Sequence, residues 1–254
     1  MKAKEALPYS LRKINEAETE KYPFQHILIE EVFHPDYYRE MLAHFPDSIR
    51  FQMGAENAYR LDLIPDPAGG GVWDIHGNAL EEQVEFWDDF KEHFLGVDFT
   101  KAILNMYGKV VNDVFICGRL CVDKKGSGIG PHRERFDKLS ALVFSLADEG
   151  EWIPDIGTSI LVPKDENLEA TDEHYLFKDF NVIKSSGYGP NRLFTFAVTQ
   201  GIGSNNSFHA YRHDIDRERR TIKCFIQHNI DPAIIRAEVA KTKALSRRWR
   251  KEAV

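Results

Sequence analysis

The strongest constraint on the fold of this chain lies after residue 113. Six short runs rich in β-branched and aromatic residues follow one another there with no helical pattern between them. They cover 114–122, 139–146, 158–162, 191–198, 207–211 and 221–227, and clusters of Gly, Pro, Asn and Asp part them. Strands in series without intervening helices do not build a doubly wound sheet; they close into a sandwich or a barrel.

The first 113 residues read differently. Residues 1–22 are charged, show little apolar periodicity and are expected to form a loosely attached arm. A short strand is expected over 24–30, followed by a helix opened by Pro35 and stopped by Pro46. Residues 47–78 read as irregular, with Gly69, Gly70 and Gly71 as a flexible point. Leu80, Val84, Trp87, Phe90 and Phe94 then fall at steps of four and three, an amphipathic helix closed by Gly96. Phe99, Ile103, Met106, Tyr107 and Val110 suggest a second helix. Asp231 and Pro232 open a last one, with Ile235, Val239, Leu245 and Trp249 on one face. The expected organisation is one domain over 1–254: N-terminal strand and helices (1–113), a β core (114–228) and a C-terminal helix (229–254).

Composition narrows the function classes. The longest stretch without Asp, Glu, Lys, Arg or His, 193–208, is broken by polar residues, so no membrane-spanning helix is expected. No apolar run follows the charged N-terminus, and three cysteines make no disulfide framework; a reducing, cytoplasmic setting is the expectation. Residues 236–254 carry seven basic side chains against Glu238 and Glu252, so the net charge of −7 divides into +5 there and −12 elsewhere. An acidic body with a basic tail argues against a dedicated nucleic-acid binder, although the tail alone could touch an acidic partner.

Two segments carry the chemistry. Gly130-Pro131-His132-Arg133-Glu134 precedes an apolar strand, and residues two apart in an extended segment share a side. His132 and Glu134 can thus offer a nitrogen and an oxygen to one ion. Ser207-Phe208-His209-Ala210 supplies a candidate second imidazole, with His213 and His174 as alternatives. Two histidines and one carboxylate on one face of a metal leave three positions open, which suits non-haem Fe(II). The glycine-rich 126–130 segment lacks the Lys-Ser/Thr of a phosphate loop and reads as a hairpin leading into the metal-binding strand.

Order and spacing here resemble the Fe(II)/2-oxoglutarate-dependent oxygenase family over roughly 114–228, and residues 24–46 resemble the strand and helix that often precede its core. The resemblance implies a β-rich α+β fold: a double-stranded β-helix (jelly-roll, cupin-like) with flanking N-terminal helices and a C-terminal helix. It implies His132, Glu134 and His209 as iron ligands, and Arg219 with Thr221 as the pair that takes the distal carboxylate of 2-oxoglutarate. Arg220 is the rival of Arg219, because strand register decides which neighbour faces inward. The family usually has Asp at the carboxylate position; Glu134 is one methylene longer, which still allows coordination. The implied activity is a dioxygenase that consumes 2-oxoglutarate and dioxygen, releases succinate and CO2, and hydroxylates a C–H bond of a small polar metabolite. Arg60, Arg119, Arg192 and Arg212 are candidate anchors for an anionic group on that substrate. A protein or glycan substrate is the alternative within the class. A cupin-like isomerase or binding module is the alternative outside it, and such a module has no need of Arg219.

Overall fold

The computed structural model describes residues 1–53, 58–68, 73–168, 175–199 and 206–240. Two antiparallel sheets face each other. The larger has seven strands in the order β1 (His26–Glu30), β9 (Arg192–Ala197), β6 (Lys138–Ser145), β11 (Arg219–His228), β4 (Val114–Asp123), β3 (Ala58–Ile64) and β2 (Gln52–Met53). The smaller has four, in the order β5 (Ser127–His132), β10 (His209–His213), β7 (Thr158–Pro163) and β8 (Phe180–Ser185). From β4 onward the chain crosses between the sheets at every step except β7 to β8, the jelly-roll pattern that makes the core a double-stranded β-helix.

The larger sheet has two unlike faces. Along β11, Ile222, Cys224 and Ile226 point outward and join Leu120, Phe144 and Leu193 in the main apolar core. Helices α2 (Pro35–Ala43), α3 (Glu81–Phe94) and α4 (Val97–Met106) cover that side, with Phe90, Phe94 and Phe99 in the same core. The alternate residues Arg219, Thr221, Lys223 and Phe225 face the smaller sheet, since side chains of a strand alternate between its faces. Cys117, Arg119, Cys121 and Asp123 of β4 lie opposite Phe225, Lys223, Thr221 and Arg219 and share that inner face.

Several expectations need correction. Residues 1–22 are not a loose arm: α1 (Ala3–Glu16) buries Ala3, Ala6, Ser10 and Ile14, and the Ala3 N–H donates to Asp89 of α3 at 2.8 Å. Its buried face is built mostly of Ala and Ser, which carry little apolar signal. Residues 47–78 contain β3, whose Leu61 and Leu63 enter the main core. Arg60 and Asp62, alternating with them on the inner face, disguise the pattern. Between the β runs expected at 158–162 and 191–198 lies a further strand, β8. Helix α4 stops at Met106, leaving Val110 90% exposed, because Gly108 takes a positive φ of 63°. At Gly96 a side chain would meet the Glu92 carbonyl at 2.4 Å, so only glycine lets the chain turn from α3 into α4. The C-terminal segment is helical over 232–240 with Ile235 buried; Leu245 and Trp249 lie outside the described residues. No helix among the described residues is long and apolar enough to cross a membrane.

Candidate metal centre

His132 ends β5, Glu134 follows in the connection to β6, and His209 begins β10, where it pairs with His132 across the ladder. Glu134 therefore lies just beyond the strand rather than on it. One ligand atom from each residue falls within 4.8 Å of the others, and theirs is the one such cluster among the described residues. Glu134 Oε1 stands 3.3 Å from His209 Nε2 and 4.0 Å from His132 Nε2.

Backbone carbonyls fix both rings. His132 Nδ1 lies 2.8 Å from the Gly130 carbonyl and His209 Nδ1 lies 3.0 Å from that of Ser207. A carbonyl only accepts, so each Nδ1 must donate, and in the neutral ring the lone pair sits on Nε2, on the side of the cluster. Burial, with the neighbouring His209, pushes the His132 pKa down to about 3, so this ring stays neutral at ordinary pH. Burial alone would raise the Glu134 carboxyl. The Lys138 ammonium outweighs it and holds the group well below the usual carboxylate range. Two imidazole nitrogens and a carboxylate on one side of a point suit a divalent metal.

The connection that carries Glu134 is pinned. Arg135 reaches both oxygens of the buried Asp137 at 2.9 and 2.8 Å and also pairs with Asp66 at 2.8 Å. The Lys138 N–H donates to the Arg135 carbonyl at 3.1 Å, and its ammonium contacts Glu134 Oε2 directly. Sequence reasoning missed Lys138, although its spacing four residues beyond Glu134 was the available signal.

A narrow cavity of about 60 Å³ runs from the triad into the space between the sheets. Ala141, Phe196 and Phe225 line it together with Arg219, Lys223 and Tyr211. Arg219 is 2% exposed; its Nη1 donates to Asp123 at 2.8 Å, and its buried Nε has no hydrogen-bond partner. Asp123 also takes Lys223 at 3.2 Å and the Tyr211 hydroxyl at 3.2 Å. These two cations overcome the burial that would raise the Asp123 pKa and lower it instead. The group thus carries one surplus positive charge in a largely buried place. Neither Asp123 nor Lys223 was identified from sequence, since Asp123 lies 96 residues from Arg219.

The other candidates fall in different places. Arg220 faces away from the cavity and donates to Asp148 at 2.5 Å. Thr221 is fully buried on the inner face, its hydroxyl without a partner. Arg119 shares that face, its side chain 19% exposed and 3.7 Å from Asp62. Arg60 lies beside it, opposite Cys121. Arg192 and Arg212 are not brought to the triad. Arg192 is committed to the Ser186 carbonyl, Glu30 and the Trp152 ring. Arg212 is exposed beside Asp214. His213 is buried and bonds through Nε2 to the Arg217 carbonyl, away from the triad, while His174 lies outside the described residues. All three cysteines are free and buried.

No family model and no curated protein matches this chain. Solved structures do. An oxidoreductase of the 2OG-Fe(II) oxygenase family from Burkholderia pseudomallei is similar over 87% of this chain and 89% of its own, with a TM-score of 0.52 and 14% identity. A Pseudomonas putida prolyl-4-hydroxylase is similar over 88% of this chain and 100% of its own, with a TM-score of 0.46 and 14% identity. A viral collagen prolyl hydroxylase from Paramecium Bursaria Chlorella virus-1 is similar over 80% of this chain and 96% of its own, with a TM-score of 0.45 and 12% identity. The first of these likenesses agrees with the sheet topology: the chain has a double-stranded β-helix fold.

Proposed function

We propose that this protein is an Fe(II)- and 2-oxoglutarate-dependent dioxygenase that hydroxylates a C–H bond of a small polar metabolite, with release of succinate and CO2. One arrangement carries the reading: a His-Glu-His facial triad and a buried arginine with an unsatisfied donor line one cavity. His132, Glu134 and His209 would hold the iron. The iron would supply oxidative chemistry toward dioxygen and a 2-oxo acid, for which the triad leaves three positions open.

The chain's own residues do the rest. Arg219 offers Nε, buried and unpartnered, to the distal carboxylate. Asp123 holds Arg219 and Lys223 together, and their surplus charge matches that of one carboxylate. The −12 body of the chain would repel a dianion, so this local cation excess must outweigh the global charge. Phe196 and Phe225 keep water from the oxidant's side of the cavity. Arg119, on the same sheet face, is the proposed anchor for an anionic group of the substrate.

The test is 2-oxoglutarate-dependent succinate formation by the iron-loaded protein in air, with amino acids, phosphorylated metabolites and peptides as candidate substrates. Arg219→Ala should weaken 2-oxoglutarate binding roughly 10- to 150-fold, the equivalent of about 1.5–3 kcal/mol for hydrogen bonds to a charged group. Arg220→Ala should leave it unchanged. Iron binding without any consumption of 2-oxoglutarate would favour the cupin-like isomerase or binding module instead.

A further inference from the structure

The triad uses Glu134 where a shorter Asp would serve, and a glutamate can chelate a metal through both oxygens. Two-oxygen binding would fill four of six positions around the ion and leave two. A 2-oxo acid that chelates through two atoms would then leave no room for dioxygen. The structure shows what opposes this. Glu134 Oε1 faces the two Nε2 atoms, while Oε2 is taken by the Lys138 ammonium. Lys138 has little freedom to leave. Its side chain is 9% exposed, its Nζ sits 3.4 Å from the centre of the Phe225 ring, and its backbone begins β6 opposite Gln227. An ammonium in such a place loses both solvent and counter-ion if it abandons the carboxylate.

We propose that Lys138 is a positioning residue that holds Glu134 to one-oxygen coordination and so keeps three metal positions open. The inference rests on the oxygenase reading for its purpose, but the ligand geometry can be tested with metal alone. The Arg135–Asp137–Asp66 cluster is the platform: it fixes the connection between Glu134 and Lys138, so that the pair keeps its register. The cost of the device is a cation beside a divalent metal, which weakens metal binding by repulsion. Lys138 therefore trades metal affinity for open coordination.

That trade separates it from a merely structural residue. Mn(II) alone is the probe, and its bound waters are counted by oxygen-17 hyperfine broadening of the Mn(II) resonance. The wild type should hold three waters and Lys138→Met two, because the freed Oε2 joins the metal. Mn(II) affinity should stay the same or rise in Lys138→Met, while 2-oxoglutarate affinity of the metal-loaded protein falls about tenfold, the low end for groups behind metal ligands. Lys138→Arg should restore three waters. Three waters in Lys138→Met, or a parallel loss of metal and 2-oxoglutarate affinity, would overturn the proposal. Should Lys138→Met not fold, the wild type decides it. Infrared difference spectra with carbon-13-labelled glutamate should show the wide carboxylate splitting of one-oxygen binding, and a narrow splitting refutes it. Failure of 2-oxoglutarate to bind any variant would count against the oxygenase reading and leave the water count to judge Lys138.

Discussion

The outer and inner faces of the larger sheet come from the same strands, yet they do different work. Outward, Ile222, Cys224 and Ile226 of β11 join Phe144 and the helical aromatics in a continuous apolar core. Inward, Arg219, Thr221 and Lys223 meet Asp123 and Arg119 in a row of charged and hydroxyl groups that no folding argument requires. A buried cation contributes little stability and costs desolvation, so charges persist on an inner face when something other than packing employs them. The alternation of β11 thus separates the packed core from the face on which the proposed site lies.

Substitutions can break this division. The largest effect belongs to the outer face: Phe144→Ala, which removes a fully buried ring packed on Phe33 at 5.2 Å, should cost about 3–5 kcal/mol in urea unfolding. Co(II) affinity of the folded variant should stay within about twofold of wild type; a large loss would mean the faces are not independent.

A middle-sized effect belongs to the metal site. The folded protein keeps His132 neutral down to about pH 3, whereas the unfolded chain takes up this proton near pH 6.5. Between those values the unfolded state binds more protons, so stability rises with pH and is lost on acidification. The metal-free protein should lose up to about 1.4 kcal/mol per pH unit from this ring below pH 6.5. His132→Asn should show a correspondingly flatter profile, and parallel profiles would show that the ring is not held neutral.

The smallest effect sharpens the comparison. Thr221→Val removes a buried hydroxyl that has no partner, on the inner face. Stability should hold or rise by up to about 1 kcal/mol while 2-oxoglutarate affinity falls a few-fold. A loss of stability with unchanged affinity would assign the hydroxyl to the fold instead.

Much of this was legible in the sequence, for physical reasons. The jelly-roll core announced itself through uninterrupted β runs, and the triad through His132-x-Glu134 and a distant His209. Parity alone places Arg219 inside once Ile222, Cys224 and Ile226 are read as the outer face, since odd and even positions of one strand must part. What escaped reading was written in weaker or longer-range signals. Helix α1 hides its buried face in Ala and Ser, and β3 hides its alternation behind Arg60 and Asp62. Asp123 meets Lys223 across 100 residues, a pairing that only the closed sheet creates. Arg192 and Arg212 show the converse: a basic residue near a ligand in sequence can still turn to a glutamate or to solvent.

The claim that the inner face binds iron and 2-oxoglutarate together is tested most directly by anaerobic titration of the protein with Fe(II) and 2-oxoglutarate, followed by visible absorption. The account predicts a weak metal-to-ligand charge-transfer band that saturates in the wild type and in Arg220→Ala, needs much more 2-oxoglutarate in Arg219→Ala, and is absent in His132→Ala. A wild type that binds Fe(II) and shows no band at any 2-oxoglutarate concentration would contradict it.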